Sequence, residues 1–210
     1  HVAGPTGIEA VSGGSVRYAA PGGLRSVVEA LAALSDDVPK STESNVTAVE
    51  VAGERITVDG APVDAVALCL PTPQARRICD VVPDLPIPWE PVIAVTLVFD
   101  RQHWIGIDGV FVNDDSVITW IADDGSRRGD GAPVLVAHVH PVLSARHLAD
   151  PAAVIPMAIA AVQRVLHVSA YPDWVDAHRW SFAKPLAASG AAHWLHEDAN
   201  LGVAGDAWAG

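Results

Sequence analysis

Four apolar runs in the middle of the chain constrain the fold more than any other feature: "VIAVTLVFD" at 92–100, "GVFVND" at 109–114, "SVITWIAD" at 116–123 and "PVLVAHVHP" at 133–141. Each is rich in β-branched and aromatic residues, has strand length, and is closed by Gly, Asp, Asn or Pro. The separators are too short for helical crossovers, so the runs predict a mostly antiparallel sheet. Helical spacing follows at 144–168, where Ile155, Ile159, Val162 and Leu166 fall on one face. Asp150-Pro151 suits its start, and Pro156 predicts a kink or a restart.

The first third reads differently. Residues 1–20 are Gly-rich and read as irregular. "PGGLRSVVEALAAL" then spaces Leu24, Val27, Val28, Leu31 and Leu34 as an amphipathic helix that packs one face on something larger. "NVTAVEVAGERITVDGAPVDAVALCLP" predicts a β-meander followed by a short buried strand that leaves through Pro71 and Pro73. The proline-rich "VVPDLPIPWEP" at 81–91 marks a boundary. Two more extended pieces, "DAHRWSFAKP" and "AHWLHED", precede the closing "NLGVAGDAWAG".

Bulk properties narrow the function classes. Of the 210 residues 50% are apolar, which argues for a packed core and against disorder. A formal charge of −12 argues against nucleic acid, because phosphate binding needs clustered Lys and Arg. No run approaches the ~20 apolar residues that span a bilayer, and no basic-then-apolar leader is visible at the start. Cys69 and Cys79 have neither the number nor the spacing of a metal site or disulfide framework, so a cytoplasmic setting is expected.

Chemical motifs are sparse. There is no G-x-S-x-G, no Walker sequence and no G-x-G-x-x-G. His138 and His140 share a strand face, which most often means two half-exposed strand histidines. His193 and His196 lack an HExxH context, and no metal is expected. The seven tryptophans, all between 89 and 208, read mainly as core residues, with one or two able to stack on a flat ligand.

The order of segments resembles a known family. "RYAAPGGLRSVVEALA", a meander opening with "NVTAV", a strand leaving as "CLPTPQ", "ITWIADDGSRRG", "AHRWSFAKP" and a terminal "GVAGD" follow the layout of flavin amine oxidase-like proteins, and within them the renalases. The resemblance implies an α/β fold with α+β character. It comprises an incomplete FAD domain of the glutathione reductase type and an inserted substrate domain of antiparallel sheet plus helices. On that template residues 1–79 belong to the FAD domain, 80–195 form the substrate domain, and 196–210 return to the FAD domain. The family's Gly-rich βαβ unit is not among these residues, so the chain reads as an interior segment.

The resemblance also implies roles. FAD would be held non-covalently, with Val46 at the adenine, Gly205 and Asp206 at the ribityl or pyrophosphate region, and Trp208 bordering the ring or capping a following helix. His178, Arg179 and Trp180 would line the substrate. Alternation places His178 and Trp180 on one strand face and Arg179 on the other, where it pairs with a substrate anion or with Asp173 or Asp176. The implied reaction is oxidation of aberrant dihydronicotinamide dinucleotide isomers to NAD(P)+, with O2 reduced to hydrogen peroxide. No acid–base residue is required of the protein, since the flavin carries the chemistry. The alternatives are another flavin amine oxidase-like enzyme, or a cofactor-free binding or interaction module.

Overall fold

The computed structural model describes residues 1–4, 7–10 and 18–208. In chain order the elements are β1 (Val2–Gly4), β2 (Gly7–Glu9), α1 (Arg25–Ala33), β3 (Val49–Ala52), β4 (Arg55–Val58), β5 (Ala61–Val63), β6 (Val66–Leu68) and α2 (Thr72–Ile78). They continue with β7 (Trp89–Val98), β8 (Gly109–Val112), β9 (Ile118–Asp123), α3 (Asp124–Arg128), β10 (Val134–Val139), α4 (Pro141–Arg146), α5 (Ile155–Leu166), β11 (Trp174–Pro185), β12 (Trp194–His196) and β13 (Leu201–Val203). The fold class expected from the sequence is the one observed: mixed α and β, with mostly antiparallel sheets.

The chain divides into two compact units, one of residues 1–39 and 91–181, the other of residues 40–90 and 182–210. The sequence reading instead draws its lines after residues 79 and 195.

The first unit is built on a seven-stranded sheet in the order β11-β7-β10-β9-β8-β1-β2. Period-two alternation explains its core face: Ile93, Val95 and Leu97 of β7 and Leu135, Ala137 and Val139 of β10 are all fully buried. α5 covers this face with Ala158, Ala161, Val162 and Leu166. Burying each Ile, Leu or Val here stabilises the unit by about 1.5–3 kcal/mol relative to exposure. Pro156 lies in the first turn of α5, where its missing N–H costs no hydrogen bond. A separate 3-10 turn, Pro151–Val154, precedes it, so the predicted break is a restart.

Three expectations are corrected. Residues 2–4 and 7–9 are not irregular: β1 runs parallel to β8 and antiparallel to β2, completing the large sheet. The part of the expected irregular stretch at 5–6 and 11–17 lies outside the described residues. α1 forms where the spacing predicts, but Leu24, Val27, Val28, Leu31 and Leu34 remain exposed; the helix is tied at its N-terminal side, where Gly22 donates to the Arg128 carbonyl at 2.9 Å. β6 is not enclosed on both sides either, because it forms the edge of its sheet and Ala67 is exposed.

The second unit holds two three-stranded sheets, β3-β4-β5 and β12-β13-β6, with α2 beside them. Val49 and Ile56 from the meander meet Leu68, Leu201 and Val203 from the other sheet, with Ala75, Cys79, Val82 and Trp208 completing the core. No helix among the described residues is long and apolar enough to cross a membrane.

Candidate functional site

In the second unit β13 runs parallel to β6, pairing Leu201 with Val66 and Val203 with Leu68. The carboxyl ends of parallel strands are where open α/β sheets bind ligands, since the loops leaving them open a crevice. Here those loops are Cys69-Leu70-Pro71, which leads into α2, and Ala204-Gly205-Asp206. Ala204 extends the ladder by donating to the Leu68 carbonyl at 3.1 Å. Gly205 then takes φ +149°, a conformation side chains rarely adopt, and a β-carbon there would sit 3.4 Å from the Leu70 carbonyl oxygen. That distance is an ordinary contact, so it is the backbone angle that calls for glycine here. Asp206 follows on the surface. The turn closes through Trp208 N–H donating to Gly205 O at 2.8 Å, and Ser189 N–H donates to Ala207 O at 2.8 Å.

Trp208 points inward. It is 4% exposed, belongs to the core with Leu201 and Val203, and its indole N–H has no hydrogen-bond partner among the described residues.

Val46 stands at a cleft of about 810 Å³. Its walls include Val49 and Val58 of the meander, Leu68 at the end of β6, Cys69 just after it, and Gln74 and Arg77 of α2. The segment at Val46 is pinned by Asp59, whose Oδ1 accepts from Thr47 N–H at 2.9 Å, the Thr47 hydroxyl at 2.7 Å and Ala48 N–H at 2.9 Å. Those hydrogen bonds, the Thr47 hydroxyl foremost, hold the Asp59 carboxyl below its usual range. Arg77 brings the cleft a cation, with its guanidinium 5.5 Å from the Phe182 ring centre. Of the residues given a cofactor role by the sequence, Val46 lines this cleft; Gly205, Asp206 and Trp208 do not. Asp59, Gln74 and Arg77 escaped the sequence reading, because a turn aspartate and an α2 arginine carry no motif.

The strand His178-Arg179-Trp180 lies on β11, at one edge of the large sheet. His178 and Trp180 share a face, their rings 4.6 Å apart and edge-to-face. Arg179 points the other way and donates from Nη1 to the Leu148 carbonyl at 2.6 Å. Alternation is as expected, and the partner of Arg179 is a backbone carbonyl.

The large sheet also aligns residues that the sequence reading left apart. Register places Phe111, Trp120, His138 and Ala94 in one cross-strand row on the face opposite α5. Phe111 and Trp120 have ring centres 4.5 Å apart, within aromatic contact. The Trp120 Cζ2 and Cη2 atoms occupy the space a β-carbon on Gly109 would fill, at 2.4 Å, so the indole lies down across that glycine. Burial, and then the nearby Arg127 charge, hold His138 below the ordinary histidine range. His140 turns away to a structural task, its Nδ1 accepting from Val142 N–H at the start of α4.

Neither a protein-family model nor a curated protein sequence matches the chain. Solved structures do. The fold is similar to that of a protein designated a protoporphyrinogen oxidase from Exiguobacterium sp. 255-15, with a TM-score of 0.63 and 22% identity over 89% of this chain and 46% of that one. It is similar to an oxidoreductase from Methanosarcina mazei, with a TM-score of 0.64 and 15% identity over 90% of this chain and 50% of that one. It is also similar to putrescine oxidase bound to putrescine, with a TM-score of 0.52 and 21% identity over 75% and 38%. The chain thus shares its fold with oxidoreductases and spans half or less of the length of each.

Proposed function

We propose that the chain forms the cofactor-return and substrate-side portion of a flavin-dependent oxidoreductase of the amine oxidase-like group, acting on dihydronicotinamide dinucleotides in the manner of renalase. The observation that carries the reading is that the parallel strands β6 and β13 end side by side, and that the loop after β13 turns at Gly205 with a φ of +149° that suits glycine.

The residues present fit FAD. The exposed Asp206 carboxylate would accept hydrogen bonds from the hydroxyls of a ribityl chain or ribose. The backbone at Val46, pinned by Asp59, offers an adenine edge donor and acceptor groups beside an apolar cleft. Trp208 supports the Gly205-Asp206 turn from within the core. FAD held there would supply the hydride acceptor and the route for electrons to O2, with hydrogen peroxide as the product. On the substrate side His178 and Trp180 offer a shared aromatic face for a nicotinamide ring. Arg179 orients that strand through Leu148. The substrate is a dinucleotide or another small molecule.

With the FAD-loaded protein, dihydronicotinamide dinucleotides carrying the hydride at an aberrant ring carbon should bleach the flavin anaerobically. Readmitted O2 should then yield one peroxide per substrate. A second reading, amine oxidation, is favoured by the similarity to putrescine oxidase. Bleaching by putrescine and not by the dinucleotides would replace the first reading with the second.

A further inference from the structure

We infer that the cleft between β2, the β7–β8 loop and the end of α5 is a binding site for a small apolar alcohol or phenol, whose hydroxyl donates to Nδ1 of His103. The cleft has a volume of about 620 Å³, within the ~300–1,000 Å³ typical of small-molecule sites. Ile8 of β2, Trp104, Ile105 and Ile107 of the β7–β8 loop and Leu166 of α5 line it, so its walls are largely apolar. All of its lining residues belong to the first unit. Phe99 and Trp104 meet edge-to-face with ring centres 5.3 Å apart, and Ile107 is buried in the same core, which anchors the loop on the sheet. Trp104 offers the cleft no donor, because its indole N–H is committed to Asp123 at 2.7 Å.

The polar anchor is His103, which also lines the cleft and whose side chain is 21% exposed. Its Nε2 lies 2.6 Å from Asp100 Oδ1. That hydrogen bond above all holds the Asp100 carboxyl below its usual range, so Asp100 faces the ring as an ionised acceptor. A carboxylate has no hydrogen to give, so the hydrogen between them sits on Nε2. In neutral His103 this fixes the tautomer and leaves Nδ1 as a bare acceptor. Among the described residues Nδ1 has no hydrogen-bond partner. A hydroxyl supplies the single donor this nitrogen lacks, and the apolar body that carries it covers the isoleucines and Leu166. An ammonium would bring three donors to largely apolar walls, and an ether or a hydrocarbon would bring none. His1 and His167 also border the cleft, but both are exposed, so water reaches their rings. The inference does not depend on a bound flavin.

The test titrates the protein with 2-naphthol and with 2-methoxynaphthalene, which keeps the rings and the oxygen but has no donor. Binding is observed by NMR through the Trp104 indole N–H and the His103 ring nitrogens. Without ligand, the His103 ring should show its hydrogen on Nε2. Saturable shifts at both residues are expected with 2-naphthol, and about fivefold weaker binding of the ether, the size of one hydrogen bond. His103→Phe, which keeps a ring beside Phe99 and removes the acceptor, should bring 2-naphthol down to the affinity of the ether, read at Trp104. Asp100→Asn, a change at an exposed side chain, releases the tautomer without touching the core and should shrink the preference as well. His167→Asn should leave the preference intact. Shifts that fail to saturate, a His103 hydrogen found on Nδ1, a preference that survives His103→Phe or Asp100→Asn, or one that His167→Asn abolishes would each overturn the inference.

Discussion

Asp123 does two jobs with one carboxylate. Buried at 3% exposure, it accepts the Trp104 indole N–H through Oδ2 at 2.7 Å and caps α3 by accepting Ser126 N–H through Oδ1 at 2.9 Å. Removing it strands a buried donor and an N-terminal helix amide together. Asp123→Ala should therefore cost about 2–4 kcal/mol, read as a lower urea midpoint at unchanged slope. A loss below about 0.5 kcal/mol, the range of ordinary surface changes, would contradict that account. The same aspartate shows what single residues disclose in the sequence. Trp104 and Trp208 are buried in the core, but the expectation that most of the seven tryptophans would be core residues does not hold: Trp174 and Trp180 are exposed and Trp89, Trp120 and Trp194 only partly buried. Which tryptophans lie open could not be read: Trp174 and Trp180 stand exposed on β11, while Trp120 lies partly buried across Gly109, eleven positions away and brought alongside by strand register. His178, Arg179 and Trp180 were legible in their alternation, since period two is a local property of any strand.

Between elements, the loop before β9 is fastened to α5. Asp115 accepts Val117 N–H at 2.8 Å and Ile118 N–H at 3.0 Å, and its carboxylate pairs with Arg164. Burial opposes ionisation of Asp115, but the Ile118 and Val117 amides and the Arg164 guanidinium outweigh it and lower the carboxyl below its usual range. The folded value thus lies below the unfolded one. Asp115 stabilises the fold above the unfolded aspartate's range, and that contribution is lost as the pH falls through the lower folded value. Asp115→Asn should leave stability less dependent on pH between about 5 and 2, measured by urea unfolding across that interval. An unchanged pH profile in the variant would contradict a stabilising role for the ionised Asp115 carboxylate. Long elements were legible for reasons of the same scale. β7 to β10 and α5 each carry enough apolar residues at one period to declare themselves. β1 and β2 are three residues each, and β1 pairs in parallel with β8, more than a hundred positions onward. No local pattern encodes a pairing across that distance.

At the scale of the molecule, each compact unit is assembled from separate stretches of chain, and the crossings at 90–91 and 181–182 fall inside β7 and β11. Proline-rich composition near 81–91 drew attention to the region, but a strand that passes from one unit to the next leaves no break in its own pattern. The second unit carries the account's central claim, that Gly205 and Asp206 at the ends of β6 and β13 receive FAD. The measurement that tests it most directly is the visible absorbance of the protein after incubation with FAD and desalting, set beside Asp206→Ala treated in the same way. The account predicts retained flavin bands for the wild-type chain and about tenfold weaker retention for the variant, whose exposed side chain has no part in the core. A wild-type protein that emerges colourless, or one that holds flavin equally well without the Asp206 carboxylate, would contradict it.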